Sequence, residues 1–285
     1  MTVTIIGTGL IGGSMAIALK AHGLADTIIG VDANEVHASR ALALQLVDQV
    51  LPLKEAVQAA KLVVMAVPVD AMNELLPQVL QAANQQQVVM DVGSTKQPIC
   101  QLASVYPNAS RFVATHPMWG TEFSGPDAAV KGAFSGKATV ICNKEQSDAD
   151  AVALVEHIYQ QLQMRLLYMT AEAHDEHVAY ISHISHITSF ALANTVLEKE
   201  KEEDAIFELA SGGFESTVRL AKSNPAMWVP ILMQNRENVL DVLNEHISQL
   251  RKFKACLEKE NYDYLRELME QANTIRKVLN RNNNS

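Results

Sequence analysis

Short apolar runs alternate with stretches of helical spacing through the first half of the chain. Residues 3–6, 27–31, 62–67, 88–92, 111–115 and 137–142 are rich in apolar and β-branched residues and bounded by polar or turn-forming positions. Runs of this length and type predict strands. The run at 62–67 is apolar at every position, as expected of a strand buried on both faces. Helical spacing falls between these runs, at 14–21, 37–46 and 73–83. Strand and helix in alternation predict parallel βαβ units and an α/β, doubly wound parallel sheet.

From about Thr170 the pattern changes and helical spacing takes over. Thr170 is placed to cap a helix that runs through the histidine-rich stretch 174–186. Val239, Leu243, Ile247 and Leu250 recur at helical spacing and predict one buried stripe. The charged run 198–204 reads as a solvated face or loop, and the tail 281–285 is expected to fray. These changes predict a nucleotide-binding domain over 1–167 and an all-helical domain over 168–285, with the break near residues 165–170.

Composition narrows the function. A formal net charge of −9 excludes a general nucleic-acid binder, which needs a basic face, but leaves room for a small anionic substrate in a pocket. Cys100, Cys142 and Cys256 are odd in number and share no metal-ligand or CxxC spacing, which predicts three reduced thiols in a cytoplasmic protein. No secretory signal pattern is present. The longest apolar run, 62–69, is far short of the roughly 20 residues a membrane span needs, so no membrane association is expected.

The first candidate chemistry is Gly7-Thr-Gly9-Leu10-Ile11-Gly12, directly after the first predicted strand and opening a helix. Gly7 permits the tight turn, Gly9 lets the backbone approach a pyrophosphate, and Gly12 lets the helix pack close to the sheet. The helix start then offers free N–H groups and its positive dipole end to the phosphates. Asp32 ends the second strand twenty residues after Gly12, where an acid binds ribose hydroxyls. Ala33 and Asn34 supply no arginine for a 2′-phosphate, so NAD is expected over NADP. The combination predicts a Rossmann domain.

In an open α/β sheet, ligands bind beyond the carboxyl ends of the strands. Three such ends carry unusual residues: Val67-Pro68, Asp91-Val-Gly-Ser94-Thr-Lys96, and His116-Pro-Met-Trp-Gly-Thr-Glu122. His116 is the one histidine at a strand end. Ser94 and Lys96 are equally placed to cap the following helix. In the helical half, His174, His177, His183 and His186 are close in sequence. On an ideal helix His174 and His183 point about 180° apart, so no metal site is expected. Further on, Gly212-Gly213 before an arginine-bearing segment, Arg219, suits a close backbone approach, and Lys222, Asn224, Pro225 and Trp228 follow.

Taken together these segments resemble the prephenate and arogenate dehydrogenase family, over about residues 3–270. The resemblance is carried by the glycine loop, by Asp91–Lys96, by His116–Glu122, by Ser182-His-Ile-Ser-His186 and by Gly213–Pro225. It implies a Rossmann domain followed by a helical domain that makes a homodimer. It also implies oxidation of the ring carbon that bears the substrate's hydroxyl, with hydride passing to NAD and the ring carboxylate leaving as carbon dioxide. His116 matches the catalytic histidine that draws off the hydroxyl proton. Ser94 matches a residue between that hydroxyl and the nicotinamide. Arg219 matches the arginine that binds the substrate's side-chain carboxylate, His174, His183 and His186 match pocket histidines, and Trp228 a pocket wall. Glu122 falls in a Gly-Thr-Glu segment that resembles the prephenate-using enzymes more than those using arogenate. Gly7, Gly9, Leu10, Ile11, Gly12, Asp32, Val67, Pro68 and Ser94 are the expected cofactor contacts. Ser185 stands where the family usually has a proline between the last two histidines. The alternatives are arogenate as substrate, a related hydroxyacid dehydrogenase or imino-acid reductase, and a non-catalytic NAD-binding regulator. No additional mutase or regulatory domain is expected at either end.

Overall fold

A computed structural model describes residues 1–201 and 206–279. The tail at 281–285 and part of the charged run at 198–204 lie outside the described residues. The chain divides into two compact units, Met1–Arg236 and Glu237–Ser285.

Through the first 169 residues the elements are β1 (Thr2–Ile6), α1 (Leu10–Ala21), β2 (Thr27–Val31), α2 (Glu35–Ala43), β3 (Gln49–Val50), α3 (Leu53–Ala59), β4 (Leu62–Met65), α4 (Val69–Ala82), β5 (Val88–Asp91), α5 (Gln97–Ala103), β6 (Phe112–Pro117), β7 (Ala138–Cys142), α6 (Ala149–Gln161) and β8 (Arg165–Met169). They form one sheet in the order β3-β2-β1-β4-β5-β6-β7-β8. The order reverses between β1 and β4, which both pair in parallel through Ile6↔Met65, so the carboxyl ends of these strands flank the switch point where such sheets bind ligands.

Period-two side-chain alternation builds two cores from each buried strand. Leu62 and Val64 face one layer with Met15 and Leu19 of α1 and Tyr159 of α6. Val63 and Met65 face the other with Leu76 and Val79 of α4 and Ile99 of α5. All four strand residues are fully buried, which is why β4 reads as a continuous apolar run.

The sheet departs from the expected all-parallel arrangement at one place. β7 runs antiparallel to β6, with His116 opposite Val140. Residues 118–137 between them hold only a short 3₁₀ turn at Pro126–Ala128, so the chain re-enters from the edge it left. The α6 crossover then makes β8 parallel to β7. The two-residue β3 and the half-exposed β8 carry too little apolar pattern to have been predicted.

After β8 the described elements are helical: α7 (Ala171–Val178), a π-helical segment (Ala179–His183), α8 (Ile184–Glu200), α9 (Gly212–Val218), α10 (Pro225–Gln234), α11 (Arg236–Glu258), α12 (Tyr262–Asn273) and α13 (Arg276–Leu279). Thr170 caps α7 as expected, its Oγ1 accepting from Ala173 N–H at 3.2 Å. The stripe predicted in α11 is buried only at its start: Val239 is 7% exposed and Leu250 56%. No helix among the described residues is long and apolar enough to cross a membrane.

Candidate active site

Between the end of β1 and the start of α1 there are only three residues, Gly7, Thr8 and Gly9. Gly7 has φ +92°, and a Cβ there would lie 2.5 Å from the Ala66 carbonyl oxygen. A Cβ on Gly12 would lie 1.9 Å from the Gly7 carbonyl oxygen, so α1 reaches the loop only because both are glycine. Gly9 differs: a Cβ there would meet nothing nearer than Gly125 N at 3.9 Å, which leaves the outer side of the loop open. Leu10 and Ile11 begin the helix ahead of its first backbone bond, from Gly13 N–H to the Gly9 carbonyl. Asp32 is held beside them, its Oδ2 accepting from Thr8 N–H at 2.9 Å and Thr8 Oγ1 at 2.8 Å. Val67 flanks Gly7 in the turn after β4, and Pro68 is the N-cap of α4. An open glycine loop, a helix start and a fixed carboxylate fit the pyrophosphate and ribose of a dinucleotide.

The turn after β5 is organised by a buried ion pair. Asp91 and Lys96 are both fully buried and paired. Asp91 also accepts from Gly93 N–H at 2.8 Å and, across the sheet, from Thr115 N–H at 3.1 Å. The carboxylate therefore fixes both the turn that carries Ser94, which is partly exposed, and the strand residue preceding His116. Neither Ser94 nor Lys96 caps α5 with its side chain. The cap comes from a distant residue: Asp175 accepts from the N–H groups of Lys96 and Gln97, each at 2.8 Å.

His116 is partly exposed at the end of β6. Its Nδ1 is 2.8 Å from His174 Nε2, and His174 Nδ1 is 2.7 Å from Asp175 Oδ1. His116 Nε2 makes no hydrogen bond among the described residues and is not sealed from solvent. Burial first, then His174, Lys96 and His183, hold His116 well below the usual histidine range, so it is neutral at pH 7.

The helix carrying the other histidines is not ideal. The π-helical segment Ala179–His183 has a wider turn than an ideal helix, which shifts the phase of His183 relative to His174. Both are 1% exposed, whereas His177 is exposed and faces away from them. Ser185 donates through its Oγ to the Ile181 carbonyl at 3.4 Å. Asn235 donates to the Asp175 carbonyl at 2.6 Å and approaches His183 Nδ1 at 3.1 Å. His183 meets Trp228 edge-on, and His186 stacks on the same indole with centroids 3.4 Å apart. Burial lowers His183 to about 4, and lowers His186 as well, with Arg219 adding to the effect. Arg219 lies 3.7 Å from Glu122. Trp228 Nε1 is buried without a hydrogen-bond partner among the described residues. Gln234 bridges the strand ends, donating to the Val69 carbonyl at 2.9 Å and accepting from Thr95 Oγ1 at 2.6 Å.

The fold thus sets His174 against His116, both His183 and His186 against Trp228, and Arg219 opposite Glu122. His174, expected to line the substrate pocket, lies behind His116 with both ring nitrogens engaged. A Cβ at Gly212 or Gly213 would meet nothing from other parts of the described chain within 4 Å, so the close backbone approach expected there is not seen among the described residues. Asp175, Asn235 and Gln234 were missed by sequence reasoning. Only Asp175 gave a signal, as an acid adjoining His174.

Two family models cover nearly the whole chain. One, described as the nucleotide-binding domain of prephenate dehydrogenase, matches residues 15–168, and the other, described as its dimerization domain, matches residues 170–271. The chain belongs to the prephenate dehydrogenase family. It is 32% identical over 280 residues to a cyclohexadienyl dehydrogenase from Zymomonas mobilis, covering 97% of this chain and 95% of that one. Its structure is similar to that of a prephenate dehydrogenase from A. aeolicus in complex with hydroxyphenyl propionate and NAD+, with a TM-score of 0.90, 28% identity and 98% of each chain covered. It is also similar to an arogenate dehydrogenase from Synechocystis, with a TM-score of 0.78, 27% identity, and coverage of 98% of this chain and 100% of that one. The family is one of oxidoreductases acting on prephenate or arogenate, joined to a nucleotide-binding domain.

Proposed function

We propose that this chain catalyses the NAD-dependent oxidative decarboxylation of prephenate to 4-hydroxyphenylpyruvate. The observation that carries this is His116: a neutral imidazole at the carboxyl edge of the sheet, one nitrogen held by His174 and the other open. Gly7, Gly9, Leu10, Ile11, Gly12, Val67 and Pro68 bind the dinucleotide, and Asp32 takes the ribose hydroxyls. Arg40, the nearest arginine downstream, is paired with Asp127 at 2.8 Å, which favours NAD over NADP. When bound, NAD supplies the acceptor for the hydride leaving the ring carbon.

His116 Nε2 takes the hydroxyl proton as the ring carbon becomes ketone-like. The C–C bond to the ring carboxylate then breaks, its electron pair completes the aromatic ring, and His116 returns the proton to the phenol oxygen. Ser94 orients the hydroxyl. Arg219 grips the side-chain carboxylate, as the planar guanidinium suits. Glu122, His183 and His186 complete the pocket, with Trp228 as its wall. The ring carboxylate has to leave and is not gripped. We place the domain break at residues 167–168, assign a homodimer through the helical part, and place the reaction in the cytoplasm, in keeping with three free, buried cysteines.

The test is NADH formation, read at 340 nm with prephenate, arogenate and a 3-hydroxyacid in parallel. Prephenate is expected to give the highest kcat/KM. A higher value with arogenate replaces the substrate, and no turnover with any of the three leaves a nucleotide-binding regulator. Replacing NAD by NADP should lower kcat/KM, and an equal value would remove the role given to Asp32.

A further inference from the structure

Asp175 lies behind two imidazoles, and its hydrogen bonds assign the protons on both. Its Oδ1 accepts from Lys96 N–H and its Oδ2 from Gln97 N–H, each at 2.8 Å. Backbone N–H groups only donate, so both oxygens are held as acceptors. His174 Nδ1, 2.7 Å from Oδ1, must then carry a proton. Burial keeps His174 below the usual histidine range, outweighing the pull of Asp175, and a neutral imidazole carries one proton. His174 Nε2 is therefore a bare lone pair, and His116 Nδ1, 2.8 Å away, is its donor. His116 has then committed its single proton to Nδ1.

We propose that Asp175 is a positioning residue that acts through His174 to hold His116 in its Nδ1–H tautomer, leaving Nε2 bare to take the substrate's proton. The same carboxylate caps α5, so one group sets both the tautomer of His116 and the turn that carries Ser94. When Nε2 gains its proton, His116 becomes a cation that still donates to His174, and the Asp175 carboxylate beyond stabilises it. Lys96, the nearby fixed cation, is met separately by Asp91. The proton's source rests on the dehydrogenase function proposed above, but the tautomer does not.

Ring ¹⁵N NMR of the full chain reads the tautomer without substrate, with His116 assigned from the spectrum of His116→Asn. The expected spectrum shows His116 protonated at Nδ1 and bare at Nε2. In Asp175→Asn, an amide NH₂ turned toward His174 Nδ1 reverses both hydrogen bonds and moves the His116 proton to Nε2. That variant should lose on the order of 10²–10⁴-fold in kcat, the scale of a misplaced base tautomer, with KM and NAD affinity little changed. If it fails to fold, the unsubstituted chain's spectrum decides alone. His116 protonated at Nε2 in that spectrum, or full kcat in Asp175→Asn, overturns the assignment. Absence of NADH formation by the unsubstituted enzyme would defeat the dehydrogenase function and leave the spectrum to judge the tautomer.

Discussion

The sheet and the helices that follow it bury their apolar side chains to very different degrees. In β4 every residue is fully buried, and the helices on both faces supply matching apolar stripes. In α8, a 17-residue helix, Ser189 is the only buried residue, and α9 has none. Ile181 is 66% exposed and Met233 70%. Large apolar side chains are left exposed here, although a few, such as Val36 and Phe123, are exposed around the sheet as well. The sheet region is complete as one chain. The helical region buries fewer of its apolar side chains, and it is matched over residues 170–271 by a family model described as a dimerization domain. The candidate site divides in the same way: the sheet ends hold the glycine loop and His116, while the helical segment holds His174, Asp175, His183, His186, Arg219 and Trp228.

Breaking the sheet's side of this division should have the largest effect. His116→Asn is expected to lose on the order of 10²–10⁴-fold in kcat with NAD affinity unchanged, measured by steady-state kinetics and NAD titration. Near-normal turnover would move the base elsewhere.

Stability separates the two regions next. Leu76→Ala removes a fully buried side chain from a closed core and should cost about 2–5 kcal/mol, read by urea unfolding, at any protein concentration. Met233→Glu should leave the monomer folded but shift the sedimentation profile toward monomer. An unchanged dimer would place the interface on other residues.

Acid should act mainly through the histidines. His183 is held near 4, below its unfolded value of about 6.5, so the unfolded state binds more protons between these pH values. Its contribution is full above pH 6.5 and is lost as pH falls toward 4, by up to roughly 3 kcal/mol. His116, His174 and His186 shift in the same direction. The acid limb of kcat should also fall below pH 6.5, since burial lowers His116. A kcat still rising above that pH would contradict a neutral base.

Arg219→Ala, on the helical side, should raise KM by a factor that corresponds to roughly 1.5–3 kcal/mol, with kcat nearly kept. A fall in kcat at constant KM would mean that Arg219 acts in the transition state instead.

Local pattern was enough for the alternation of strand and helix, the glycine loop, Asp32 at the end of β2, His116 at the end of β6 and the Thr170 cap. Each of these depends on residues close in sequence, and on side-chain periods of 2 or 3.6. The antiparallel turn of β7 was not legible, because it follows from the lack of a crossover helix in an irregular loop. The relative directions of His174 and His183 were not legible either, because the π-helical segment changes the phase of the helix.

What residue order could not supply was partnership across distance. Asp91 reaches Thr115, Asp175 reaches Lys96 and Gln97, Asn235 reaches His183, and Gln234 reaches Val69 and Thr95, with sequence separations from 24 to 165. A buried polar group needs a partner, but its own sequence neighbourhood does not name which one. The residue types and the nucleotide loop were settled by the sequence. Folding decided which nitrogen of His116 is held and which is left open.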